Sequence, residues 1–467
     1  MLGWAYQSSP LIERKGIDYF EPVHPQPLAV PNGLLQIILG ARDNLIGNWL
    51  DQYYTSGCDS FRIMGRQVVL ANRPDAVQQV LVTENAKFER KGPQVRRALE
   101  GVIGNGLFIS DGPLWAARRP VVAEALHKGR MAAFGSAMET VTSEFCTRWD
   151  AVPEGTVLNV QLEMAELTAE ILTRAVFGSR ISADEVRHVA EGFTSFQNQV
   201  DSFNIGYFLG FDEGLKIRSG RNVRRAVAKL HKVVDRVVQS YLETDDVEDS
   251  ILYRLVSKHE AAGDRERGVK ALYDEAMTIF LAGHETTAII LTWAWYLLAN
   301  APWVEREIHA EIASVAGDRP VGFADVPKLA WCRSVIEETM RLYPPIPIYT
   351  RQARAESNVA GIAVEKGALV MVVPWLLHRA RDLWDEPDLF RPERFLAGRP
   401  SAFSYIPFSV GPRVCAGVSF GMTEAVLCLA MLAQRFIVRP TSDPVVPTCR
   451  LTLRPRGGLP VTIARRA

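Results

Sequence analysis

One segment near the middle of the chain limits the possible folds more than any other. Residues 267–302 contain no internal proline, and between Ala276 and Ala299 they are apolar on nearly every face except at Gly-His-Glu-Thr-Thr. A helix of this length spans roughly 50 Å at about 1.5 Å per residue. A transmembrane span is disfavoured, because a charged Glu285 at mid-bilayer costs about 2.5–3.5 kcal/mol. The segment therefore predicts a helix through the centre of a globular protein, with functional polar residues inside it.

Composition narrows the class of protein. Of 467 residues, 48% are hydrophobic and 23% are charged, and Lys+Arg and Asp+Glu both number 53. This balance is typical of a globular protein with a large core, and it favours neither nucleic acid nor an anionic membrane as the main partner. Six sparse cysteines without a CxxC pair indicate a reducing compartment. The first residues have no apolar run of the signal-peptide type, so we predict a soluble, cytoplasmic protein.

Short β segments interrupt a mostly helical pattern. Residues 59–77 alternate, turn at 72–74 and then become helical, which predicts a small β-hairpin. Residues 345–380 contain further short strands, and the end of the chain predicts another hairpin with Gly457 and Gly458 at its turn. The β region is therefore a minor part of the structure.

The chain shows no internal repeat and no low-complexity linker. Within residues 1–40 a proline-rich entry segment is expected to lie extended over the surface rather than to form a helix. We predict a single domain over residues 1–467, mainly α with a minor β region.

A second helix and the loop after it carry charges among apolar residues. Glu338 and Arg341 are three residues apart and share one helix face. Most such pairs are exposed and contribute little, but this pair lies among apolar neighbours, which indicates partial burial. The later sequence Phe-Arg-Pro-Glu-Arg-Phe adds Arg394 as a third member. We predict a structural rather than a catalytic role for this group.

The last motif surrounds one cysteine. Residues 408–417 read F-x-x-G-x-R-x-C-x-G, with Cys415 between glycines and two residues after Arg413. Glycine allows a sharp turn or a close backbone approach, and arginine suits carboxylates. A lone cysteine is also often a small buried hydrophobe, and this alternative stays open on the motif alone.

Taken in order, these elements resemble the cytochrome P450 family of haem-thiolate monooxygenases, of the soluble bacterial type. Trp115 and Arg119 add the W-x-x-x-R of an earlier helix, and the resemblance covers roughly residues 30–467. It implies the P450 fold, with the long central helix over a haem b whose iron takes the Cys415 thiolate as axial ligand. A thiolate ligand favours O–O cleavage.

The resemblance also implies contacts with the haem. Phe408 and Gly417 would shape and shield the thiolate loop, and Gly283 would leave room for O2. The propionates would be held by the following side chains: Arg413, Arg351, Trp115 and Arg119. For Arg351 a position on the surface of a strand is the alternative.

Oxygen activation would depend on two residues of the central helix. Thr286 would hydrogen-bond bound oxygen or a water, and Glu285 would feed protons toward it. We expect His284 to point away from the iron. The acid–alcohol pair disfavours two rival functions, a peroxygenase or isomerase of the same fold and a non-catalytic haem-binding sensor. Turnover with peroxide, compared with turnover with NAD(P)H and redox partners, separates the first rival from a monooxygenase.

Electrons and substrate complete the sequence-based hypothesis. We expect a separate ferredoxin or flavodoxin with its NAD(P)H reductase to dock near Arg118, Lys128 and Arg130, although an ordinary solvated basic face is the alternative. We predict a monomer. An aromatic-rich segment over residues 192–211 is expected to form a lid, unless it is core. The predicted pocket residues are Leu107, Phe108, Leu281, Ala282, Pro347 and Ile348. The substrate would be an apolar terpenoid, fatty acyl chain, alkane or steroid.

Overall fold

The computed structural model describes residues 5–14, 16–33, 43–177 and 265–466, with isolated positions between these ranges. Its helices are α1 (Pro74–Gln78), α2 (Asn85–Phe88), α3 (Pro93–Ile103), α4 (Gly112–Ala125), α5 (Met131–Asp150), α6 (Val160–Phe177), α7 (Arg265–Ala299), α8 (Pro302–Ala316), α9 (Ala330–Leu342), α10 (Pro374–Leu377) and α11 (Val418–Arg435). Short 3₁₀ turns include Lys128–Arg130, Pro392–Phe395 and Gly411–Arg413.

The strands are short. They are β1 (Tyr6–Arg14), β2 (Ile17–Pro25), β3 (Cys58–Ile63), β4 (Arg66–Ala71), β5 (Arg90–Lys91), β6 (Val157–Asn159), β7 (Tyr349–Gln352), β8 (Ser357–Val359), β9 (Ile362–Val364), β10 (Leu369–Val372), β11 (Phe436–Pro440), β12 (Pro447–Cys449), β13 (Leu453–Pro455) and β14 (Pro460–Arg465). The largest sheet has the order β3-β4-β10-β7-β5. The architecture is mainly α with a smaller β region, as predicted.

The central helix α7 organises the core. It packs against α6, α9 and α11, and Trp293 in its second half is fully buried. The helix ends at Ala299, three residues before the predicted end, because Asn300 turns its side-chain amide back to the carbonyl of Tyr296 at 2.8 Å and Pro302 starts α8. Among the described residues, no helix has the length and apolar character that crossing a bilayer requires.

The predicted early hairpin is present as β3 and β4. Met64 and Gly65 form its two-residue turn with φ values of 48° and 88°. Positive φ at both central residues is the geometry of a type I′ turn, which matches the twist of the flanking strands. The hairpin therefore turns before residues 72–74, which instead lead from β4 into α1.

The predicted C-terminal hairpin is wrong in its turn. β12 pairs with β13 across residues 450–452, whereas Gly457 and Gly458 connect β13 to β14, which pairs with β11 and β6 in another sheet. Both glycines have positive φ, and a Cβ at Gly458 would collide with the side chain of Asn159. These glycines allow a change of sheet rather than a hairpin turn.

The proline-rich N-terminal segment is extended as expected, but its first part does not lie over the surface. β1 and β2 form an antiparallel hairpin, and the second half of β2, including its prolines, is buried. The carbonyl of Val23 accepts from the hydroxyl of Tyr343 at 2.6 Å, and the amide of Val23 donates to the hydroxyl of Tyr296 at 3.3 Å. These bonds satisfy the backbone of a strand that packs against α7 and α9, so it tolerates burial.

Candidate functional site

The loop around Cys415 is fixed by its own backbone. The amide of Cys415 donates to the carbonyl of Phe408 at 2.9 Å, which closes the loop before α11 begins. Gly411 has φ of 75°, and a Cβ there would collide with the carbonyl oxygen of Leu81. Only glycine satisfies both conditions. The backbone amide of Gly417 donates to the Cys415 sulfur.

Cys415 differs from the four fully buried cysteines, which are Cys146, Cys332, Cys428 and Cys449, because its side chain is accessible. Surrounding protein nevertheless raises the pKa of its thiol, while the Gly417 amide and the charges of Arg119 and Lys91 oppose that rise. Cys415 is thus accessible although protein atoms surround its thiol closely enough to raise its pKa. The alternative of a small buried hydrophobe does not fit this position.

Two buried arginines beside the cysteine keep unused donors. Arg413 donates through Nη1 to the carbonyl of Ser110 at 2.8 Å, and its guanidinium lies 4.5 Å from the centre of the Trp115 ring. Its Nε and Nη2, and the Nε of Arg351, have no hydrogen-bond partner among the described residues. Arg351 is 2% exposed, which excludes the strand-surface alternative. Burial, and then the charge of Arg413, lowers the pKa of Arg351 to about 10.

Lys91 is a member of this group that the sequence motifs missed. It lies on β5, directly opposite Arg351 on β7. Its ammonium lies 4.6 Å from the centre of the Phe108 ring, and burial, followed by the charges of Arg351 and Arg413, lowers its pKa well below the usual value. No local motif marks Lys91, because only the pairing of β5 with β7 brings it to the site.

These groups fit haem b. One accessible sulfur that accepts a backbone N–H bond is suited to hold a metal as thiolate. Buried cations with free N–H groups require anionic partners, and the two propionates of haem would supply them. Arg119 is half-buried, and the charge of Cys415 acts on its pKa, which places it on the same side of the site.

The predicted acid and alcohol of the central helix bond to different partners. The hydroxyl of Thr286 donates to the carbonyl of Ala282 at 2.8 Å. The carboxyl of Glu285 accepts from the hydroxyl of Thr452 at 2.9 Å. Burial raises the pKa of Glu285, and Arg454 and Thr452 oppose the rise. The acid therefore lies against the β12–β13 turn, one helix position away from the alcohol.

His284 is 2% exposed, and its Nδ1 lies 2.9 Å from the carbonyl of Phe280 in its own helix. Burial lowers the pKa of His284 to about 4, so the ring is neutral near pH 7. Thr168 of α6 donates to the carbonyl of His284 at 2.9 Å. This backbone bond ties α7 to α6 at the polar segment.

The structure shows a packing contact at Gly283. A Cβ at this position would lie 2.8 Å from the nearest side-chain carbon of Leu172 on α6. The missing side chain therefore permits close packing of α7 on α6, and a role in leaving room for O2 stays a prediction. The motif alone did not show which face of α7 packs against α6.

The structure brings together the predicted charged group of α9. Glu338 and Arg341 are both fully buried and form two bonds of 2.7 and 2.8 Å. The Nε of Arg394, in the Pro392–Phe395 turn, donates to Glu338 at 3.2 Å. Arg341 also donates to three backbone carbonyls, those of His378, Pro387 and Leu389. This arrangement fixes the segment before the Cys415 loop onto α9.

The three predicted docking residues differ in exposure. Lys128 is exposed and Arg130 is half-buried in the turn after α4. The side chain of Arg118 is only 11% exposed and bonds to Glu275 of α7 at 2.9 Å. Arg118 as part of a docking face is therefore wrong, because its helix turns it inward.

The predicted pocket residues differ in their degree of burial. Ala282 is exposed, while Leu281, Phe108 and Ile348 are half-buried. Leu107 and Pro347 are buried. The predicted lid over 192–211 lies outside the described residues except at Gly192 and Phe208, and Phe208 is buried against Val68 and Leu369.

Glu424 of α11 is a buried acid that the sequence reasoning missed. It is fully buried within an apolar helix, next to Thr287 of α7. Burial raises the pKa of Glu424 to about 8, and the Thr287 hydroxyl opposes the rise only in part. At neutral pH the carboxyl therefore keeps its proton.

Replacing Glu424 by Gln tests this interpretation through pH-dependent stability. A raised acid pKa stabilises the fold fully below the unfolded value of about 4.3, and the stabilisation is lost as pH rises toward about 8. Between pH 5 and 8 we expect the unfolding free energy of the unmodified protein to fall, relative to Glu424→Gln, by up to about 1.4 kcal/mol per pH unit. Urea unfolding at several pH values measures this. The exposed Glu307→Gln is the control, and parallel profiles for the unmodified protein and Glu424→Gln contradict the prediction.

Comparisons with known proteins identify a family model, relatives and a solved structure that resemble this chain. The family model "Cytochrome P450" matches residues 25–460. Cyclooctatin synthase of Streptomyces melanosporofaciens is 34% identical, over 85% of each chain. Pentalenene oxygenase of Streptomyces avermitilis is 28% identical, over 79% of this chain and 82% of its own. The crystal structure of a cytochrome P450DA heme domain superposes with a TM-score of 0.77 at 23% identity, and covers 94% of this chain and 97% of its own.

Proposed function

Because the chain belongs to the cytochrome P450 family, binds haem b and is a monooxygenase of an apolar substrate, we propose that this substrate is a cyclic terpenoid. The observation that carries the proposal is the set of bacterial relatives. Their names are cyclooctatin synthase, cyclooctat-9-en-7-ol 5-monooxygenase and pentalenene oxygenase. The cyclooctat-9-en-7-ol enzyme is 29% identical over 87% of each chain. A terpenoid thus replaces the broader choice among apolar compounds.

The residues of this chain suit an apolar ligand beside the haem. Phe108, Leu281 and Ile348 present half-buried apolar side chains, and Ala282 adds a small one on α7. A ligand without a charged group is oriented by shape in such a pocket rather than by an ion pair. The Lys91 ammonium lies over the Phe108 ring.

Haem held by Cys415 supplies the oxygen chemistry, and the protein supplies its environment. The Gly417 amide on the sulfur stabilises the thiolate, and the free donors of Arg413 and Arg351 would bind the propionates. The Thr286 proton is held by the Ala282 carbonyl, so its hydroxyl oxygen is free to accept a second bond. Burial raises the pKa of Glu285, which favours its protonated form, and the carboxyl would pass on a proton after releasing Thr452.

Electrons come from a redox partner, and we propose a ferredoxin or flavodoxin. Lys128 is the predicted docking residue that is exposed, in the turn after the helix that carries Trp115 and Arg119. An acidic partner would be attracted to this position at long range. The monomeric state and the cytoplasmic location stay predictions from the sequence.

A substrate-induced spin-shift screen tests the proposed substrate class. We expect cyclic terpene hydrocarbons to shift the haem spectrum with dissociation constants at least about tenfold lower than fatty acids, alkanes or steroids of similar size, which is about 1.4 kcal/mol. Turnover with ferredoxin, its reductase and NADPH is then expected to add one oxygen atom, as detected by mass spectrometry. Tighter binding and oxidation of a fatty acid or steroid contradict the proposal. Efficient turnover with peroxide alone supports the peroxygenase alternative.

A further inference from the structure

The loop over residues 104–111 lies directly on the central helix. It connects α3 to α4 and carries Leu107 and Phe108. Cβ atoms at Gly104 and Gly106 would collide with the side chains of Asp274 and Thr278 on α7. The loop backbone therefore approaches α7 more closely than any residue with a side chain allows.

Arg118 and two acids of α7 hold the first half of this loop, because the guanidinium also lies 3.6 Å from the carboxylate of Asp274. Glu275 of α7 accepts the amide of Leu107 at 3.0 Å and a guanidinium N–H of Arg118 at 2.9 Å. The same Arg118 nitrogen, Nη1, donates to the carbonyl of Asn105 at 2.6 Å. The Glu275 side chain is 2% exposed and the Arg118 side chain 11%. The acid thus binds one backbone group of the loop and the cation binds another, two residues apart.

Cationic side chains hold the second half. Arg413 donates to the carbonyl of Ser110 at 2.8 Å, and Arg96 donates to the carbonyl of Ile109 at 2.6 Å. Lys91 lies over the ring of Phe108. Leu107 and Phe108 therefore lie between two sets of charged contacts. Glu275 and Arg118 bind the loop on one side, and Arg413 and Arg96 bind it on the other.

A buried ion pair is weak evidence for a stability role, because desolvation offsets much of the attraction. Glu275 and Arg118 form hydrogen bonds with the backbone of the loop over residues 104–111, which indicates that they position this loop. We propose that Glu275 and Arg118 are positioning residues that hold Leu107 and Phe108 as a fixed wall of the substrate pocket. They thereby set how well bulky ligands bind. The inference needs the haem pocket but not the terpenoid proposal.

Azole binding to the holoprotein tests the inference. Imidazole reaches the iron alone, whereas clotrimazole also contacts the pocket wall. We expect Glu275→Gln and Arg118→Met to weaken clotrimazole binding by about tenfold and to leave the imidazole dissociation constant within about twofold, both measured by spectral titration. Hydrogen exchange at the Leu107 amide is expected to be faster in Arg118→Met, because the loop loses one of its attachments.

The matched control is Glu305→Gln. It removes the acid of the Arg466–Glu305 pair, which is 2.7 Å long and formed by α8 and the C-terminus, with side chains 16% and 15% exposed. We expect this variant to change neither azole constant. If Glu275→Gln does not bind haem, Arg118→Lys is the second variant, which keeps the charge but loses the planar fork.

Three results overturn the inference. One is unchanged clotrimazole binding in the Glu275 and Arg118 variants, and another is equal weakening for both azoles, which indicates a general effect on the haem site. The third is an equal loss in Glu305→Gln. None of these results depends on which substrate the enzyme oxidises, so failure of the terpenoid proposal is a separate outcome.

Discussion

Replacing Cys415 by Ser is expected to abolish substrate oxidation and to remove the strongly red-shifted Soret band of the reduced carbon monoxide complex. That band reports a thiolate opposite carbon monoxide, and the thiolate favours O–O cleavage. In this chain the sulfur is the accessible atom of a loop closed by the bond from the Cys415 amide to the Phe408 carbonyl. Serine preserves the loop and changes the ligand. The test therefore separates loss of the ligand from loss of the fold.

A second cysteine supplies the control for this prediction. Cys58 on β3 is also not fully buried, and it takes no part in the haem site. Cys58→Ser is expected to keep the red-shifted band and the activity. The measurement is the absorption spectrum of the reduced protein with and without carbon monoxide. A red-shifted band that survives in Cys415→Ser refutes the assignment of the haem ligand.

The sequence predicted those parts of the site that depend on neighbours along the chain. The glycine at 411 follows from the turn that a backbone must make around a cysteine, and its φ of 75° meets that requirement in the structure. Gly417 has φ of −93° and contributes its backbone amide to the Cys415 sulfur. Likewise, Glu338 and Arg341 share a helix face at a spacing of three, and they are paired there. In each case the geometry is set within a few residues.

Other parts depend on which elements meet in three dimensions. Arg118 and Glu275 are 157 positions apart, and a basic residue on an isolated helix carries no sign that its partner is on another helix. Glu424 sits in an apolar run that predicts only burial, not the changed pKa that burial causes. The close approach of Gly283 to Leu172 was not predicted, because this contact depends on the packing of α6 against α7.

Replacing Arg341 by Leu is expected to prevent the protein from accumulating in a folded, haem-bound form. The fully buried Glu338 would lose its bidentate partner, and breaking a buried pair on one side costs about 3–5 kcal/mol. The carbonyls of His378, Pro387 and Leu389 would lose donors at the same time, at about 1–3 kcal/mol for each group left unsatisfied. The total is comparable to the whole stability of a typical domain.

Two further variants, Arg341→Lys and Arg399→Leu, test whether the effect requires a buried guanidinium. Lysine keeps the charge but cannot reproduce five donors in one plane, so Arg341→Lys is also expected to fail. Arg399 pairs with Glu337, the residue before Glu338 on α9. Because 70% of the Arg399 side chain is exposed, Arg399→Leu is expected to change stability by less than about 1 kcal/mol. The haem-to-protein ratio and the urea midpoint measure all three variants. Normal folding of Arg341→Leu would show that the three carbonyls had found other donors. That result contradicts the role of Arg341 in fixing the segment before the Cys415 loop.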